Sequence, residues 1–375
     1  MGHNMSEQDN ENILFGKKSS RWYQVAALHA VEQALEDKVD RILIVHPTGA
    51  GKTITSGLVF SSEKVRRLLN VEQDKKLRLL FVSHRQRLLT QAERTYADAA
   101  NVEFIPMSAF EDVPEDLEWD VACIDEAHHE AMMSIQYRLD KLGDKPIIGL
   151  TATPDRADGL LIKFERIIDP ISREEAVKQG FLAKTYINSI VDAPSKFKID
   201  VTKRIIDEFG SEFGQTMMFF RTKHEVEIIN EYLVSKGYNS VAILNQNGDE
   251  LDQILDDFSA KKYQFVVNCN RINEGVDVVG CTDIYLGRQF GSYPQLNQVI
   301  GRASRPDSKC IVWELINPIS TKNLDSTVVV GTPQRHRLIS KRGTKWHKQN
   351  FNYTATRVDE MWNGNSGAAA TGRMI

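Results

Sequence analysis

The chain has 375 residues, 41% of them hydrophobic and 26% charged, with a formal net charge of −4. That length suits two or three domains, each able to bury a core. The charge excludes a whole-molecule positive field, so any polyanion must be held by a local groove. No apolar run approaches the ~20 residues of a membrane span, so no membrane partner is expected.

The first twenty residues form a polar extension, without the basic-then-apolar order of a secretory signal. Cys123, Cys269, Cys281 and Cys310 are widely spaced, with no Cys-x-x-Cys pair and no zinc spacing, and read as reduced thiols of a cytoplasmic protein. From Trp22 to Glu36, Val25, Leu28, Val31 and Leu35 recur at helical spacing. Just ahead lies Arg21-Trp22-Tyr23-Gln24, where an amide can bond the N6 and N7 edges of adenine and an aromatic can stack.

The apolar run Ile42–Val45 leads into His46-Pro47-Thr48-Gly49-Ala50-Gly51-Lys52-Thr53 and then a stretch able to form a helix. Strand, glycine-rich turn and helix together make a phosphate-binding loop. Gly49 and Gly51 let backbone N–H groups converge where the helix presents its positive end. Lys52 reaches the β- and γ-phosphates of a nucleoside triphosphate and the Thr53 hydroxyl ligates Mg²⁺. His46 stands where the simplest form of the motif has glycine.

Further apolar runs alternate with helical stretches, at Leu79–Val82, Asp120–Ile124 and Pro146–Leu150, which implies a parallel sheet covered on both faces. Ligands gather at the carboxyl ends of such strands. Ser83-His84-Arg85, Asp125-Glu126-Ala127-His128 and Thr151-Ala152-Thr153 occupy those ends. Asp125 is placed to hold Mg²⁺ with Thr53, and Glu126 to activate the attacking water. A second set of runs, at Thr216–Phe220, Ser240–Leu244, Gln264–Asn268, Asp283–Leu286 and Cys310–Trp313, forms a second α/β domain without a phosphate loop. Arg302 and Arg305, three apart on an expected helix, share a face.

These stretches resemble the motifs of superfamily 2 helicases of the Asp-Glu-x-His type. His46–Thr53, Asp125–His128 and Thr151–Thr153 look like motifs I to III. Met217–Arg221, Asn273–Asp277 and Gln298–Pro306 look like motifs IV to VI. The style is that of RadD-like and UvsW-like repair or recombination helicases and of the type III restriction motor. The resemblance implies two tandem RecA-like domains, 21–192 and 193–320, with ATP in the cleft between them and the hinge near Val191–Ser195. It adds Arg21, Gln24, Pro47, Thr48, Ala50, His128, Gly275, Asp277 and Gln298 to the nucleotide site. Arg305 becomes the arginine finger, assisted by Arg302. Ser83, His84, Arg85, Phe220 and Arg221 become contacts to the nucleic-acid strand. Motif V of this family carries Thr or Ser where this chain has Cys269.

The last stretch, 321–375, holds nine Lys and Arg against three Asp and Glu. Arg335, Arg337, Lys341, Arg342 and Trp346 within it suit phosphate contact and base stacking, or else a solvated tail that ends in disorder at Asn363–Ala370. The expected activity is an ATP- and Mg²⁺-dependent helicase or translocase, monomeric, acting without sequence preference on single-stranded, forked or branched DNA, with accessory replication or repair proteins as partners. A duplex translocase that separates no strands, an RNA helicase and a binding module with a vestigial ATPase stay open.

Overall fold

The structure, a computed structural model, describes residues 14–15, 18–114, 116–128, 135, 137, 139–140, 144–153, 164–191, 198–269, 278, 280–306, 308–316, 326–342 and 345–351. The chain divides into two compact units, Met1–Ser172 and Arg173–Ile375.

The first unit opens with a short antiparallel pair, β1 (Leu14–Phe15) and β2 (Lys18–Ser19), followed by α1 (Trp22–Glu36). Next come β3 (Arg41–Val45), α2 (Lys52–Ser61), α3 (Glu63–Leu68), β4 (Leu77–Ser83), α4 (Gln86–Tyr96) and β5 (Val102–Ser108). The unit is completed by β6 (Val121–Asp125), β7 (Ile147–Thr151) and β8 (Arg166–Ile168). The larger sheet runs β5-β4-β6-β7-β3-β8, every described pair parallel. One apolar cluster covers each face, and Ile42, Leu43 and Ile44 of β3 supply both. That is why these strands read as continuous apolar runs rather than as alternating ones. β5 escapes such a reading because it is an edge strand, with Glu103 and Pro106 breaking its apolar pattern.

The second unit contains α5 (Arg173–Lys178), β9 (Lys184–Val191), α6 (Lys198–Phe209), β10 (Thr216–Phe220), α7 (Lys223–Ser235) and β11 (Ser240–Ile243). It continues with α8 (Gly248–Ser259), β12 (Phe265–Cys269), β13 (Asp283–Leu286), α9 (Tyr293–Gly301) and β14 (Lys309–Ile316). It ends with α10 (Thr327–Val330), β15 (Arg335–Arg342) and β16 (Lys345–Phe351). Its sheet runs β11-β12-β10-β13-β14-β9-β15-β16, parallel throughout except for the final pair.

Two expectations need correction. The division falls after Ser172 rather than at 192, because β9 is inserted between β14 and β15 of the second sheet. Two of the polar residues that hid β9 find partners inside that sheet, although Asn188 Nδ2 is left without one. Asn188 accepts from Arg337 Nε at 2.7 Å, and the Ser189 hydroxyl donates to Glu314 at 2.6 Å and accepts from His336 at 2.6 Å. The basic stretch after 320 is likewise no separate extension where it is described. It forms the β15–β16 hairpin, which carries buried Ile339 and half-buried Trp346 onto the core around Phe209. The expected hinge at Val191–Ser195 falls, but for Val191, and Asn363–Ala370 falls entirely, outside the described residues. No helix among the described residues is long and apolar enough to cross a membrane.

Candidate functional site

Because the strands of the first sheet are parallel, β3, β4, β6 and β7 deliver their following residues to one edge. His46–Gly51 turns from β3 into α2, with Gly49 and Gly51 both at φ 88°. Gly51 is the N-terminal cap of α2, in the left-handed region, so Lys52 is the first helical residue. A side chain at Gly51 would be strained by that backbone and would meet Gln24 Nε2 at 2.9 Å.

Residues of α1 hold this loop from behind. Tyr23 is fully buried and its hydroxyl donates to the Ala50 carbonyl at 2.6 Å. Gln24, also buried, accepts from the Arg21 N–H at 2.9 Å and donates to the carbonyls of Ala50 and Gly51 at 3.5 and 3.4 Å. Arg21 donates to the Tyr23 hydroxyl at 3.0 Å. Arg21-Trp22-Tyr23-Gln24 is thus a clamp on the phosphate loop. Tyr23, at the heart of it, was expected only as an aromatic able to stack on adenine.

His46 is a second contribution that the sequence marked only as a departure. Its Nδ1 lies 2.8 Å from the Val45 carbonyl, which can only accept, so Nδ1 carries the proton. Nε2 then accepts from the Thr55 hydroxyl at 3.0 Å, which ties the loop to the first turn of α2. Burial, opposed by the Val45 hydrogen bond and helped by the Lys52 charge, lowers the imidazole to about 4.

The strand β6 ends at Asp125, and Glu126 follows with φ 50°, a conformation that a non-glycine residue adopts at a cost. Lys52 Nζ donates to Glu126 Oε1 at 2.8 Å, and Asp125 accepts from the Glu126 N–H at 3.0 Å. Glu126 Oε2 is buried with no hydrogen-bond partner, 3.5 Å from His128 Nδ1. The two carboxyl groups are driven apart. Burial, then the neighbouring Glu126 charge, pushes Asp125 up to about 6. Burial also works against ionised Glu126, but Lys52 and His128 outweigh it and hold Glu126 below its ordinary value. Glu126 is therefore the more readily ionised of the two, as a general base requires.

His128 Nδ1 lies 2.9 Å from the Thr151 hydroxyl, which donates to the Thr153 carbonyl at 2.7 Å and accepts from the Thr153 N–H at 3.1 Å. The hydroxyls of Thr48 and Thr153 are buried without hydrogen-bond partners. A cradle of left-handed glycines, a lysine at a helix start, an aspartate beside it and these open polar atoms fit a triphosphate with a divalent cation. Pro47 to Lys52 would hold the phosphates, and Thr53 and Asp125 the ion. Among the described residues no cluster of three or more His, Cys, Asp or Glu forms a metal site by itself.

Of the expected strand contacts, Arg85 and Arg221 reach the surface, and His84 lies beside Arg85, 3.4 Å from its Nε. Ser83 and Phe220 do not reach it. Both are fully buried, the Phe220 ring in the core of the second sheet. Arg337 is engaged by Asn188 and by Glu212, the latter at 3.1 Å, and Trp346 packs edge-on to Phe209 at 5.5 Å with Lys341 Nζ 5.5 Å from its ring. Arg335 is exposed and its guanidinium lies 5.4 Å from the Tyr186 ring. The side chain of Arg342, together with Gly275 and Asp277, lies outside the described residues.

Gln298 is buried on α9 with Oε1 lacking a hydrogen-bond partner. Arg302 and Arg305 do not share a helical face. The helix ends at Gly301, Arg302 is its C-terminal cap, and Arg305 lies beyond it. Pro306 is the reason, because a proline disfavours helical backbone at the residue before it.

Residues 17–113 match the family model described as "Type III restriction enzyme, res subunit", and residues 198–307 match "Helicase conserved C-terminal domain". The chain is 25% identical to the type I restriction enzyme EcoAI endonuclease subunit of Escherichia coli, over 78% of this chain and 45% of that protein. It is also 25% identical to a Schizosaccharomyces pombe protein assigned as the mitochondrial ATP-dependent helicase irc3, over 76% of this chain and 55% of that one. The chain thus spans about half the length of these relatives. A solved fragment assigned as the HsdR subunit of a type I restriction enzyme from Vibrio vulnificus YJ016 has the same fold. Its TM-score is 0.68 at 18% identity, covering 91% of this chain and 73% of that one.

Proposed function

We propose that this chain, which belongs to the superfamily 2 helicases in the branch of the type III restriction motor, hydrolyses ATP to move along and remodel DNA without reading its sequence. Helicase-family motor activity on nucleic acid follows from the family. DNA as the track, and strand separation as the result, are our reading.

The observation that carries it is the joining of phosphate loop and catalytic carboxylate through Lys52 and Glu126, 2.8 Å apart. Lys52 has three donors, so it can turn to the β- and γ-phosphates of ATP while Glu126 is released toward water. Glu126, ionised, accepts the proton of the water that attacks the γ-phosphorus. His128, bonded to Thr151, connects that carboxylate to the Thr151–Thr153 segment that follows β7. Mg²⁺, held by Thr53 and Asp125, would neutralise charge on the phosphates. Arg305, assisted by Arg302, is the proposed arginine finger. Tyr23 and Gln24 fix the loop, and adenine recognition by Arg21 and Gln24 is part of the same proposal.

The strand contacts that support a nonspecific track are cationic, Arg85 and Arg221, and contacts made to phosphates carry no sequence information. A labelled forked DNA tests the reading. ATP-dependent release of one strand by the wild type, and none by Glu126→Gln, is expected. ATP-dependent movement on duplex without release would establish the translocase instead.

A further inference from the structure

Arg221 and Arg288 stand past the ends of neighbouring strands in the second unit. β10 and β13 pair in parallel with Phe219 opposite Leu286, so two residues further on Arg221 comes opposite Arg288. On the other side β10 pairs with β12, Phe220 opposite Cys269, and the Cys269 thiol donates to the Arg221 carbonyl at 3.1 Å. Gly287 permits the close fit, since a Cβ there would lie 2.3 Å from the Phe220 ring. The Arg288 guanidinium lies 4.2 Å from the ring centroid of buried Phe290, a cation–π contact that helps to hold it in place.

Neither guanidinium has a carboxylate partner among the described residues, and Arg288 Nε is buried with no hydrogen bond at all. Burial lowers Arg288, opposed by the Cys269 thiol and helped by the Arg221 charge, and burial lowers Lys198 at the start of α6, opposed by the Glu225 carboxylate and helped by Arg221. A half-buried guanidinium with no carboxylate of its own, set beside a second cation, destabilises the fold that holds it. An arrangement kept against that cost has an anionic ligand to gain. Arg221 is exposed and Arg288 half-buried, so the pair opens along the sheet edge, where a continuous polyanion can lie.

We infer that Arg221 and Arg288 together clamp one backbone phosphate of the nucleic-acid strand. This rests on the reading of the chain as a nucleic-acid motor, and it adds Arg288, which no motif marked, to the strand contacts. Two forks from adjacent strands, one of them resting against Phe290, present a set of donors that suits a tetrahedral phosphate.

The test is binding of the full chain to a labelled single-stranded DNA oligonucleotide across a salt series, for wild type, Arg288→Ala and Arg288→Lys. ATP KM without DNA and Tm are measured alongside. Arg288→Ala should flatten the slope of log Kd against log salt by about 0.7 and weaken binding about fivefold at 0.1 M salt. Arg288→Lys should restore the slope, with ATP KM unchanged and Tm no lower in either variant. Unchanged DNA affinity and slope would overturn the clamp, as would a raised ATP KM with DNA binding intact, which marks a nucleotide contact. Equal loss of binding and Tm in both variants would overturn it too, as a structural effect. A wild type that binds no DNA would remove the motor reading along with the clamp. A wild type that binds, with variants that match it, would remove the clamp alone.

Discussion

Lys52 and Glu126 form an ion pair across the candidate site, 2.8 Å long, with each side chain only 14% exposed. The pair couples the phosphate loop to the end of β6, and it sets the two groups in competition. A triphosphate takes Lys52 away from Glu126 and brings its own negative charge close to that carboxylate.

Glu126→Gln should therefore separate binding from turnover. Removing the carboxylate frees Lys52 and relieves repulsion of the phosphates, so ATP should bind at least as tightly as to the wild type. Loss of the base should lower kcat by about 10²- to 10⁴-fold. Equilibrium binding of a fluorescent ATP analogue and steady-state turnover check both halves. Weakened binding would show that Glu126 holds the loop in shape rather than the water in place.

His46 makes the stability of the first unit depend on pH. Its folded value, about 4, lies below its unfolded value of 6.5, so between these the unfolded chain binds a proton that the folded chain refuses. The contribution is intact above pH 6.5 and is lost as pH falls toward 4. A shift of that size corresponds to roughly 3 kcal/mol. Urea unfolding at pH 7.5 and pH 5 should show a smaller difference for His46→Gln than for the wild type. Identical pH dependence in the two proteins would refute this role.

Gly51→Ala should damage the loop without unfolding the chain. The left-handed backbone costs an alanine about 1–2 kcal/mol, and the added Cβ presses on the Gln24 amide. ATP KM should rise severalfold while far-UV circular dichroism stays unchanged. Tyr23→Phe, which removes the 2.6 Å bond to Ala50 and the 3.0 Å bond from Arg21, should do the same more mildly.

The β15–β16 hairpin should matter to stability through Trp346. Truncating this half-buried ring to alanine should cost about 2 kcal/mol, less than a fully buried ring would. Thermal unfolding reads that loss. DNA affinity corrected for the folded fraction should not change, because the ring is packed on Phe209. A large fall in affinity at unchanged stability would restore base stacking as its role.

Much of this was legible from sequence because both sheets are covered on both faces. Burial of that kind writes apolar runs at Ile42–Val45 and Thr216–Phe220, and parallel pairing places the polar residues after each run at one edge. Strands that break the apolar pattern were not legible. β9 carries Asn188 and Ser189 into the core, where Arg337, Glu314 and His336 from distant parts of the chain bond to them. β15 alternates cations with buried Ile339 and looks like a tail until its partners are known. In the site, the lysine, the paired carboxylates and the glycines follow from local spacing. The buttress by Tyr23 and the tether by His46 depend on contacts between α1, the loop and α2. The separation of Arg302 from Arg305 was readable in principle, from Pro306.

Steady-state ATP hydrolysis, measured with single-stranded DNA, duplex DNA, forked DNA and RNA in turn, tests the central claim most directly. A DNA-stimulated motor should show low turnover alone, strong stimulation by DNA, and loss of that stimulation in Glu126→Gln. Absence of turnover with every nucleic acid, from a folded protein supplied with Mg²⁺, would contradict it.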